Sequence, residues 1–344
     1  MRGVDDRRRL RARLTLTFVL ATLLGLAACE PQSEHAEVAL TADGYSTVVS
    51  QSQIESLPAS TAAVEGTDLR DADLIALGRL VELTRLRLKD SDAITNSGLA
   101  RLATLATLET LWLESCDSIT DTGLQHLARL PSLKTLHINS SEVTFGDPLD
   151  LRSFQDLENL SLSQWINLSD NALEQLSSLT ELRGLDLGRS RGLLDPRAPR
   201  NVVIQDGKIF AGHQLPHSLA QLVPSSELTE IGFEHVLQLK QLRTLGLSGV
   251  GFSPRALEKL AALQQLEALD LSFTRTEDGT IASLKNVTNL RHLDLAGCTA
   301  VSDASVETLR ILSQLRWLDL RRTRVSKNGA VTVRAALPNC RVQF

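Results

Sequence analysis

A short hydrophobic pattern, LxxLxL, recurs along most of the chain. Its nine copies begin at Leu83, Leu108, Leu133, Leu157, Leu182, Leu242, Leu266, Leu290 and Leu315. The spacing between successive copies is nearly constant, except for one much longer interval between Leu182 and Leu242. Because apolar and polar residues alternate within each copy, the pattern predicts a short strand with one buried face.

A helix is predicted after each of these strands. A serine or threonine stands at one fixed place in each interval, at Thr95, Thr120, Ser169, Thr229, Ser253, Ser302 and Ser326. Both residue types favour the N-cap, and apolar residues at helical spacing follow them. Each unit is therefore a strand, a loop and a helix. Since no such unit can bury its apolar side alone, the units are expected to stack into a curved solenoid.

The long interval between Leu182 and Leu242 predicts one degenerate copy and one insertion. Residues 228–239 match residues 119–130 position for position, which predicts a further helix. The strand of this copy is predicted at Leu219–Leu222, which leaves residues 189–214 outside the repeat. Within them, β-branched residues on both sides of an Asp-Gly pair predict a hairpin over residues 202–210.

Two repeats carry a more specific signature. Residues 108–130 read LETLWLESCDSITDTGLQHLARL, and residues 290–305 read LRHLDLAGCTAVSDAS. The signature resembles LxxLxLxxCxxITDxGLxxLxxL, the pattern of the cysteine-containing subclass of the leucine-rich repeat family. The resemblance covers residues 54–344. It implies an α/β fold, a leucine-rich repeat solenoid shaped as a curved horseshoe, with a parallel β-sheet on the concave face and helices on the convex face.

Residues 1–28 have the composition of a secretory signal. Six arginines flank the start of an apolar run, Leu14 to Leu26, that is shorter than a typical transmembrane helix. The run ends in Leu26-Ala27-Ala28-Cys29, which resembles the lipobox of bacterial lipoproteins and implies that Cys29 is lipidated after residues 1–28 are cleaved. An ordinary signal with a chance cysteine at its cleavage site is the alternative. Residues 29–53 are then expected to form a flexible tether.

These resemblances imply a cellular address. Eukaryotic members of the repeat subclass often carry an F-box, a ubiquitin-ligase adaptor segment, and nothing that resembles one precedes the repeats here. A bacterial surface lipoprotein fits better. The protein is expected to be exported and lipid-anchored in the bacterial cell envelope, at the outer membrane or the periplasmic face.

Composition narrows the partners. Leucine supplies 66 of 344 residues, whereas aromatic residues make up 3% and charged residues 22%. This charge, spread along the chain, excludes a polytopic membrane protein. Residues 1–28 carry a net charge of +4, so the remainder carries about −9 against −5 for the whole chain. An acidic body of this kind is a poor partner for nucleic acid, and none is expected.

Cysteine and histidine provide no recognisable reactive centre. Cys116 and Cys298 occupy the same ninth position of distant repeats, too far apart for a disulfide, and a structural role beside the turns is favoured. His213 and His217 are separated by a proline and have no third ligand in register. No nucleophile elbow, phosphate loop or HExxH motif occurs. We therefore expect no enzyme, catalytic residue, metal site or cofactor.

The candidate ligand-binding surface is the concave face. The strand alternation directs into it the side chains that lie between the leucines. The candidates are Arg87, Trp112, His137, Asp186, Asp270, Asp294 and Asp319, joined by His292 and Trp317 two residues before the last two aspartates. The alternative is that these residues form only a solvated face.

The insertion at residues 189–214 is the second candidate site. Its basic residues are Arg189, Arg191, Arg197, Arg200 and Lys208, which outnumber its acidic residues by three. Because the insertion leaves directly after a strand, it is expected to overhang the concave face and to attract an anionic partner. A tolerated insertion that merely pairs with Asp186 is the alternative.

The sequence as a whole favours a membrane-anchored binding module. Its expected partner is a protein or peptide, or a cell-envelope glycan, held on the concave face, and its lipid on Cys29 would contact the membrane. One alternative is an envelope spacer with no specific ligand. Another is a hydrolase with its site in residues 189–214, where His213 is the one good base.

Overall fold

The structure, a computed structural model, describes residues 39–139, 150–162, 170–188, 203–205, 208–210 and 229–344. All of them lie within one of two units of the chain, Val38–Phe344. Its main feature is a single sheet of twelve strands, in which every neighbouring pair is parallel.

The strands follow one another across the sheet in chain order. They are β1 (Ser46–Val48), β2 (Ala63–Thr67), β3 (Arg85–Lys89), β4 (Thr110–Glu114), β5 (Thr135–Asn139), β6 (Asn159–Ser161), β7 (Gly184–Asp186), β10 (Thr244–Gly246), β11 (Ala268–Asp270), β12 (His292–Asp294), β13 (Trp317–Asp319) and β14 (Arg341–Gln343). Strands β8 (Val203–Gln205) and β9 (Lys208–Phe210) form a separate antiparallel pair.

Short helices connect the strands on the convex side. They are α1 (Gln51–Ser56), α2 (Leu74–Leu77), α3 (Asn96–Leu102), α4 (Asp121–Leu127), α5 (Asp170–Leu176), α6 (Glu230–Val236), α7 (Pro254–Glu258), α8 (Asp278–Ser283), α9 (Val306–Ile311) and α10 (Lys327–Ala336). Single turns of 3₁₀-helix lie at Leu151–Ser153, Lys259–Ala262, Leu284–Asn286 and Asp303–Ser305. The predicted leucine-rich repeat solenoid is confirmed.

The core lies between the sheet and the helices. Every leucine or isoleucine at the three L positions of the nine predicted LxxLxL copies is at most 4% exposed. Each leucine packs against the equivalent leucine of the coils before and after it, as Leu269 of β11 does between Leu245 and Leu293. Burying one leucine side chain contributes about 1.5–3 kcal/mol, so stability is spread evenly along the array.

The chain leaves each strand through a turn of fixed conformation. Five residues after the first strand position, Asp68, Asp90, Ser115, Phe273 and Arg322 have positive φ angles of 45 to 59°. Gly249 and Gly297 take the same place in their coils, with φ of 65° and 76°. At Gly297 a Cβ would also come within 2.6 Å of the Phe273 ring, so this coil requires glycine.

A polar ladder joins the starts of the helices. A carboxylate or amide oxygen in one coil accepts the backbone N–H of the N-cap residue in the next, in the pairs Asp71 and Thr95, Asn96 and Thr120, Asp170 and Thr229, Asp278 and Ser302, and Asp303 and Ser326. A Cβ at Gly98, Gly123, Gly232 or Gly329 would collide with one of these acceptors. Glycine three residues after the cap therefore makes room for the preceding coil's capping group.

The cysteines support the turns of the same coils. Cys298 Sγ donates to the Leu271 carbonyl at 3.0 Å, and Cys116 Sγ contacts the Leu88 carbonyl at 3.9 Å, in each case one coil earlier. Both thiols are free and buried, and their coils are six strand steps apart. The predicted structural role of the ninth position is therefore confirmed.

The folded unit begins earlier than the predicted boundary at residue 54. Strands β1 and β2 extend the sheet before the first LxxLxL copy, and β1 and the start of α1 lie in the predicted tether of residues 29–53. Tyr45, in that same segment, is 4% exposed. The tether prediction is therefore wrong from β1 onward, because these coils bury Val48, Ile54 and Val64 where later coils use leucine.

The long interval also differs from its prediction. Strand β7 pairs directly with β10, so no strand lies between them in the sheet, and Leu219–Leu222 falls outside the described residues. The predicted helix of the interval is α6, capped by Thr229. Within the predicted hairpin of residues 202–210, the described backbone of β8 and β9 pairs antiparallel. The interval is thus one coil whose strand and helix are separated by residues 189–228.

Removing one core leucine should expose the dependence of each coil on its neighbours. We expect Leu269→Ala or Leu293→Ala to lower the free energy of unfolding by about 2–5 kcal/mol, because both side chains are fully buried and truncation leaves a cavity. Ile231→Ala on α6, where the side chain is 69% exposed, should change it by less than about 0.5 kcal/mol. Thermal and denaturant unfolding measure both, and equal small effects would contradict the assigned core face.

Candidate functional site

One row of side chains runs along the concave face of the sheet. It lies between the buried leucines, and aligned strand positions place its members side by side: Glu65, Arg87, Trp112, His137, Ser161, Asp186, Gly246, Asp270, Asp294 and Asp319. We call it the concave row. His292 and Trp317 lie on the same face two residues before Asp294 and Asp319.

The first part of the row, together with Asp43 and Tyr45, forms the amino-terminal cluster, which is centred on Arg87. Its other members are Glu65, Trp112 and His137. The Arg87 guanidinium lies 4.2 Å from the Tyr45 ring centroid and 5.0 Å from that of Trp112. It donates to Glu65 Oε2 at 2.8 Å and to Asp43 Oδ2 at 3.1 Å. The Arg87 side chain is only 1% exposed, so its charge is neutralised within the protein.

The charges of this cluster depend on one another. Burial alone would raise the pKa of Glu65, but hydrogen bonds from Lys89 and Arg87 hold it below its ordinary value. Burial would likewise lower the pKa of Arg87, and the bond to Glu65 raises it instead. Removing one partner of such a buried pair typically costs about 3–5 kcal/mol. The cluster therefore fastens the first coils together.

Trp112 and His137 complete this end of the row. Their rings are stacked, with centroids 3.5 Å apart and planes inclined by 22°. Both residues are nearly buried. Sequence analysis found these two and Arg87 but missed Asp43, Tyr45 and Glu65, which precede the first LxxLxL copy. The signal for Glu65 was the alternation in residues 63–67, where valine and glycine replace the leucines.

The second part of the row forms the carboxyl-terminal cluster, consisting of Asp270, Asp294, Asp319, His292 and Trp317. The three aspartates lie on adjacent strands in register. The rings of His292 and Trp317 are stacked, with centroids 4.3 Å apart and planes inclined by 18°. Six strand steps separate β4 from β12, about 29 Å at the usual spacing of about 4.8 Å, so the two clusters are distinct places on one face.

One carboxylate oxygen of each aspartate in the row accepts a hydrogen bond from the backbone. Oδ1 of Asp186, Asp270, Asp294 and Asp319 accepts the backbone N–H two residues later, at 2.8 to 2.9 Å. These bonds close the turn at the end of each strand. An uncharged asparagine would retain the acceptor, so the turn requires the oxygen and not the negative charge.

The negative charges are crowded and poorly solvated. Burial, together with the charges of Asp270 and Asp319, raises the pKa of Asp294 well above its ordinary value. Burial also raises the pKa of Asp270, against the hydrogen bonds from Ser272. Arg321 binds Asp319 through its guanidinium. Among the described residues, Asp270 and Asp294 form no ion pair.

Polar ring atoms beside these carboxylates lack partners. Trp317 Nε1 and both ring nitrogens of His292 are buried and form no hydrogen bond with any described residue. Burial lowers the pKa of His292 to about 3, so the imidazole is neutral at physiological pH. A buried polar atom without a partner costs about 1–3 kcal/mol, which a ligand could recover by hydrogen bonding.

Metal and thiol chemistry receive no support from the described parts of the chain. Within them, no group of three or more His, Cys, Asp or Glu side chains is arranged to hold a metal ion. Burial raises the pKa of Cys116 and Cys298 to about 12 and that of Cys340 to about 11, so these thiols remain protonated.

None of the helices in the described residues has both the length and the apolar character needed to span a bilayer.

The remaining sequence candidates lie outside the described residues or have only backbone described. Cys29, Arg189, Arg191, Arg197 and Arg200 are in the first group, as are His213 and His217. Lys208 begins β9, for which only the backbone is described. Lipidation of Cys29 and a role for the basic insertion stay predictions.

Comparison with known proteins agrees with the repeat architecture. The family model described as Leucine Rich repeat matches residues 104–128 and 288–309. Together with the parallel sheet and the near-constant spacing of its strands along the chain, these matches define a leucine-rich repeat fold. The matched model describes a structural repeat and does not point to a catalytic family.

One curated relative is similar to part of this chain. A Caenorhabditis elegans protein whose provisional name is that of an RNA-binding protein is 28% identical over 137 residues, 38% of this chain. The match spans 19% of that relative's length.

Three solved structures with a similar fold have low sequence identity to this chain. An internalin, InlF, from Listeria monocytogenes is 18% identical, with a TM-score of 0.49 over 82% of this chain and 72% of its own. Internalin C2 of the same species is 17% identical, with a TM-score of 0.38 over 80% and 84%. Yeast Rad7, solved in complex with Elc1, is 19% identical, with a TM-score of 0.44 over 80% and 72%. The likeness concerns the fold alone.

The crowded carboxylates should cost stability at neutral pH. A raised pKa in the folded state means that stability falls as pH rises above the ordinary aspartate value of 3.8. We expect Asp294→Asn, which keeps the turn acceptor, to raise the thermal midpoint by roughly 2–4 °C near pH 7, corresponding to about 1 kcal/mol. The gain should shrink toward pH 4. Glu307→Gln, which changes a side chain 76% exposed on α9, should not show this trend, and a pH-independent effect of Asp294→Asn would contradict the assignment.

Proposed function

We propose that this protein is a binding module that holds a protein partner on its concave face. The observation that carries this proposal is the carboxyl-terminal cluster, in which crowded aspartates and unpartnered ring nitrogens face the same surface. The turns need only an acceptor oxygen, and the charges of Asp270 and Asp294 form no ion pair with a described residue, so these two negative charges serve no local purpose. A spacer without a ligand would gain stability by losing them, which favours binding over a purely structural role.

The charge of the row favours protein over nucleic acid. Four aspartates lie between β7 and β13, and phosphate groups would be repelled from them. The chain without residues 1–28 is acidic as well, at about −9. The name of the Caenorhabditis elegans relative therefore does not extend to RNA binding by this concave face.

The proposal includes a place in the cell. The lipobox-like Leu26-Ala27-Ala28-Cys29 supports lipidation of Cys29 and attachment to the bacterial cell envelope. Several acyl chains would make this attachment stable, because each buried methylene contributes about 0.8 kcal/mol. The solenoid would then present its concave face to partners at the membrane surface.

Site-specific cross-linking tests the binding face. A photo-reactive amino acid at Thr135, on the concave face of β5, should form an adduct with a discrete partner protein in envelope preparations. The same photo-reactive amino acid in place of Ile231, which is exposed on α6, is the matched control on the convex side. Mass spectrometry identifies the adducts. Equal labelling from both positions, or none from either in intact cells, would contradict a concave binding face.

The anchor has its own test. We expect Cys29→Ala to abolish incorporation of radiolabelled palmitate and to leave an unprocessed or soluble precursor, because cleavage and acylation of a lipobox both depend on that thiol. Cys116→Ala, which removes a buried cysteine of the repeat domain, should retain the label. Palmitate that still appears on the Cys29→Ala variant would overturn the proposed anchor.

A further inference from the structure

We propose that the carboxyl-terminal cluster is a recognition site for an arginine- or lysine-bearing peptide segment of the partner. The inference rests on the proposed function and specifies the chemistry of its ligand. The site consists of Asp270, Asp294, Asp319, His292 and Trp317, all on adjacent strands of the concave face.

Two carboxylates of the site have no compensating cation among the described residues. Asp270 and Asp294 are desolvated, face each other across adjacent strands and form no ion pair with a described residue. The one cation beside them among the described residues, Arg321, is already bound to Asp319. A cationic side chain placed between Asp270 and Asp294 would relieve their repulsion, and the poor solvation there would strengthen the attraction.

The ring nitrogens of the site have no hydrogen-bond partner among the described residues. Trp317 Nε1 can only donate, whereas the neutral imidazole of His292 offers one donor and one acceptor. A peptide main chain supplies both a carbonyl acceptor and an N–H donor. A basic peptide therefore provides every group that the cluster lacks. A neutral glycan would leave the carboxylates without a cation, and a phosphate would be repelled.

The amino-terminal cluster of the same face contains the same types of side chain. There an indole and an imidazole are stacked beside two carboxylates, as in the carboxyl-terminal cluster. The difference is that Arg87 lies over Trp112 and pairs with both Asp43 and Glu65, whereas Arg321 pairs with Asp319 and leaves Asp270 and Asp294 without an ion pair among the described residues. The protein thus fills one such arrangement with its own arginine. In the other, the partner supplies the corresponding cation.

Calorimetric titration of the full chain with a defined probe tests the inference. The probe is an acetylated, amidated peptide of alternating glycine and arginine, and its counterpart has glutamine in place of arginine. We expect the arginine peptide to bind at least about tenfold more tightly, which corresponds to about 1.4 kcal/mol. The difference should decrease as salt is raised, because part of it is electrostatic.

Matched variants assign the binding to the cluster. Asp270→Asn together with Asp294→Asn removes two charges but keeps both turn acceptors, so the fold should persist, as thermal unfolding will show. This variant should bind the arginine peptide no better than the glutamine peptide. Glu307→Gln with Glu277→Gln removes the same charge outside the concave row and should retain the preference. Trp317→Phe, which lacks the indole N–H, should weaken both peptides.

Several outcomes would overturn the inference. They are equal binding of the two peptides, an arginine preference that survives in the Asp270→Asn, Asp294→Asn variant, and a neutral chitin oligosaccharide that binds this cluster more tightly than the arginine peptide. Failure of the inference is distinguishable from failure of the proposed function. If Thr135 still cross-links a protein while the peptides do not discriminate, the concave face binds proteins but this cluster does not select cations.

Discussion

The structure depends on one constraint, which is that no coil can bury its own leucines. A strand and a short helix enclose one side of each leucine, and the neighbouring coil must cover the other. Leu245, Leu269 and Leu293 show the result, since each is fully buried between its equivalents. The loops absorb differences in spacing, since β11 and β12 pair in register at an interval of 24 residues and β12 and β13 at an interval of 25. The long interval after β7 likewise does not disturb the pairing of β7 with β10.

The same constraint places equivalent residues side by side, which has different consequences for different chemistry. At the helix starts, each coil supplies an acceptor oxygen for the N-cap residue of the next coil. Asp71 accepts the backbone N–H of Thr95, and Asn96 accepts that of Thr120. Glycine at the third helical position keeps the approach open. On the concave face, by contrast, aspartate stands next to aspartate. Because the coils stack in register, the same residue at one repeat position forms a row of adjacent side chains. A row of like charges is costly unless a ligand compensates it.

Sequence reasoning succeeded where a residue's role follows from the period alone. The nine LxxLxL copies predicted the core, the fold and the concave row, because burial and direction are fixed by position within the repeat. It failed at β1 and β2, where Val48 and Val64 take the place of leucine and no period is visible. It also assigned a separate strand to the long interval, because a partial match over the helix was extended to a strand at Leu219–Leu222.

The chemistry of the site was less accessible than its location. Sequence analysis placed Arg87 among the ligand-binding residues, because nothing before the first repeat indicated that Asp43, Tyr45 and Glu65 would surround it. These contacts join segments that are far apart in the chain, and only the fold brings them together. For Asp294 the reverse holds. Its position was predictable, but the raised pKa of its carboxyl depends on burial and on two neighbouring strands.

The two clusters show why location and chemistry must be separated. Both combine an indole, an imidazole and carboxylates, and both lie on the same row of the same sheet. In the first, a buried arginine satisfies the carboxylates, and the group stabilises the early coils. In the second, Arg321 pairs with Asp319, but Asp270 and Asp294 have no cation among the described residues, and the ring nitrogens of His292 have no described partner. Since equivalent positions on one scaffold are subject to the same packing rules, the difference lies in where the compensating cation comes from. An arrangement that is stable by itself is a structural lock, whereas one left with uncompensated charge is poised to bind.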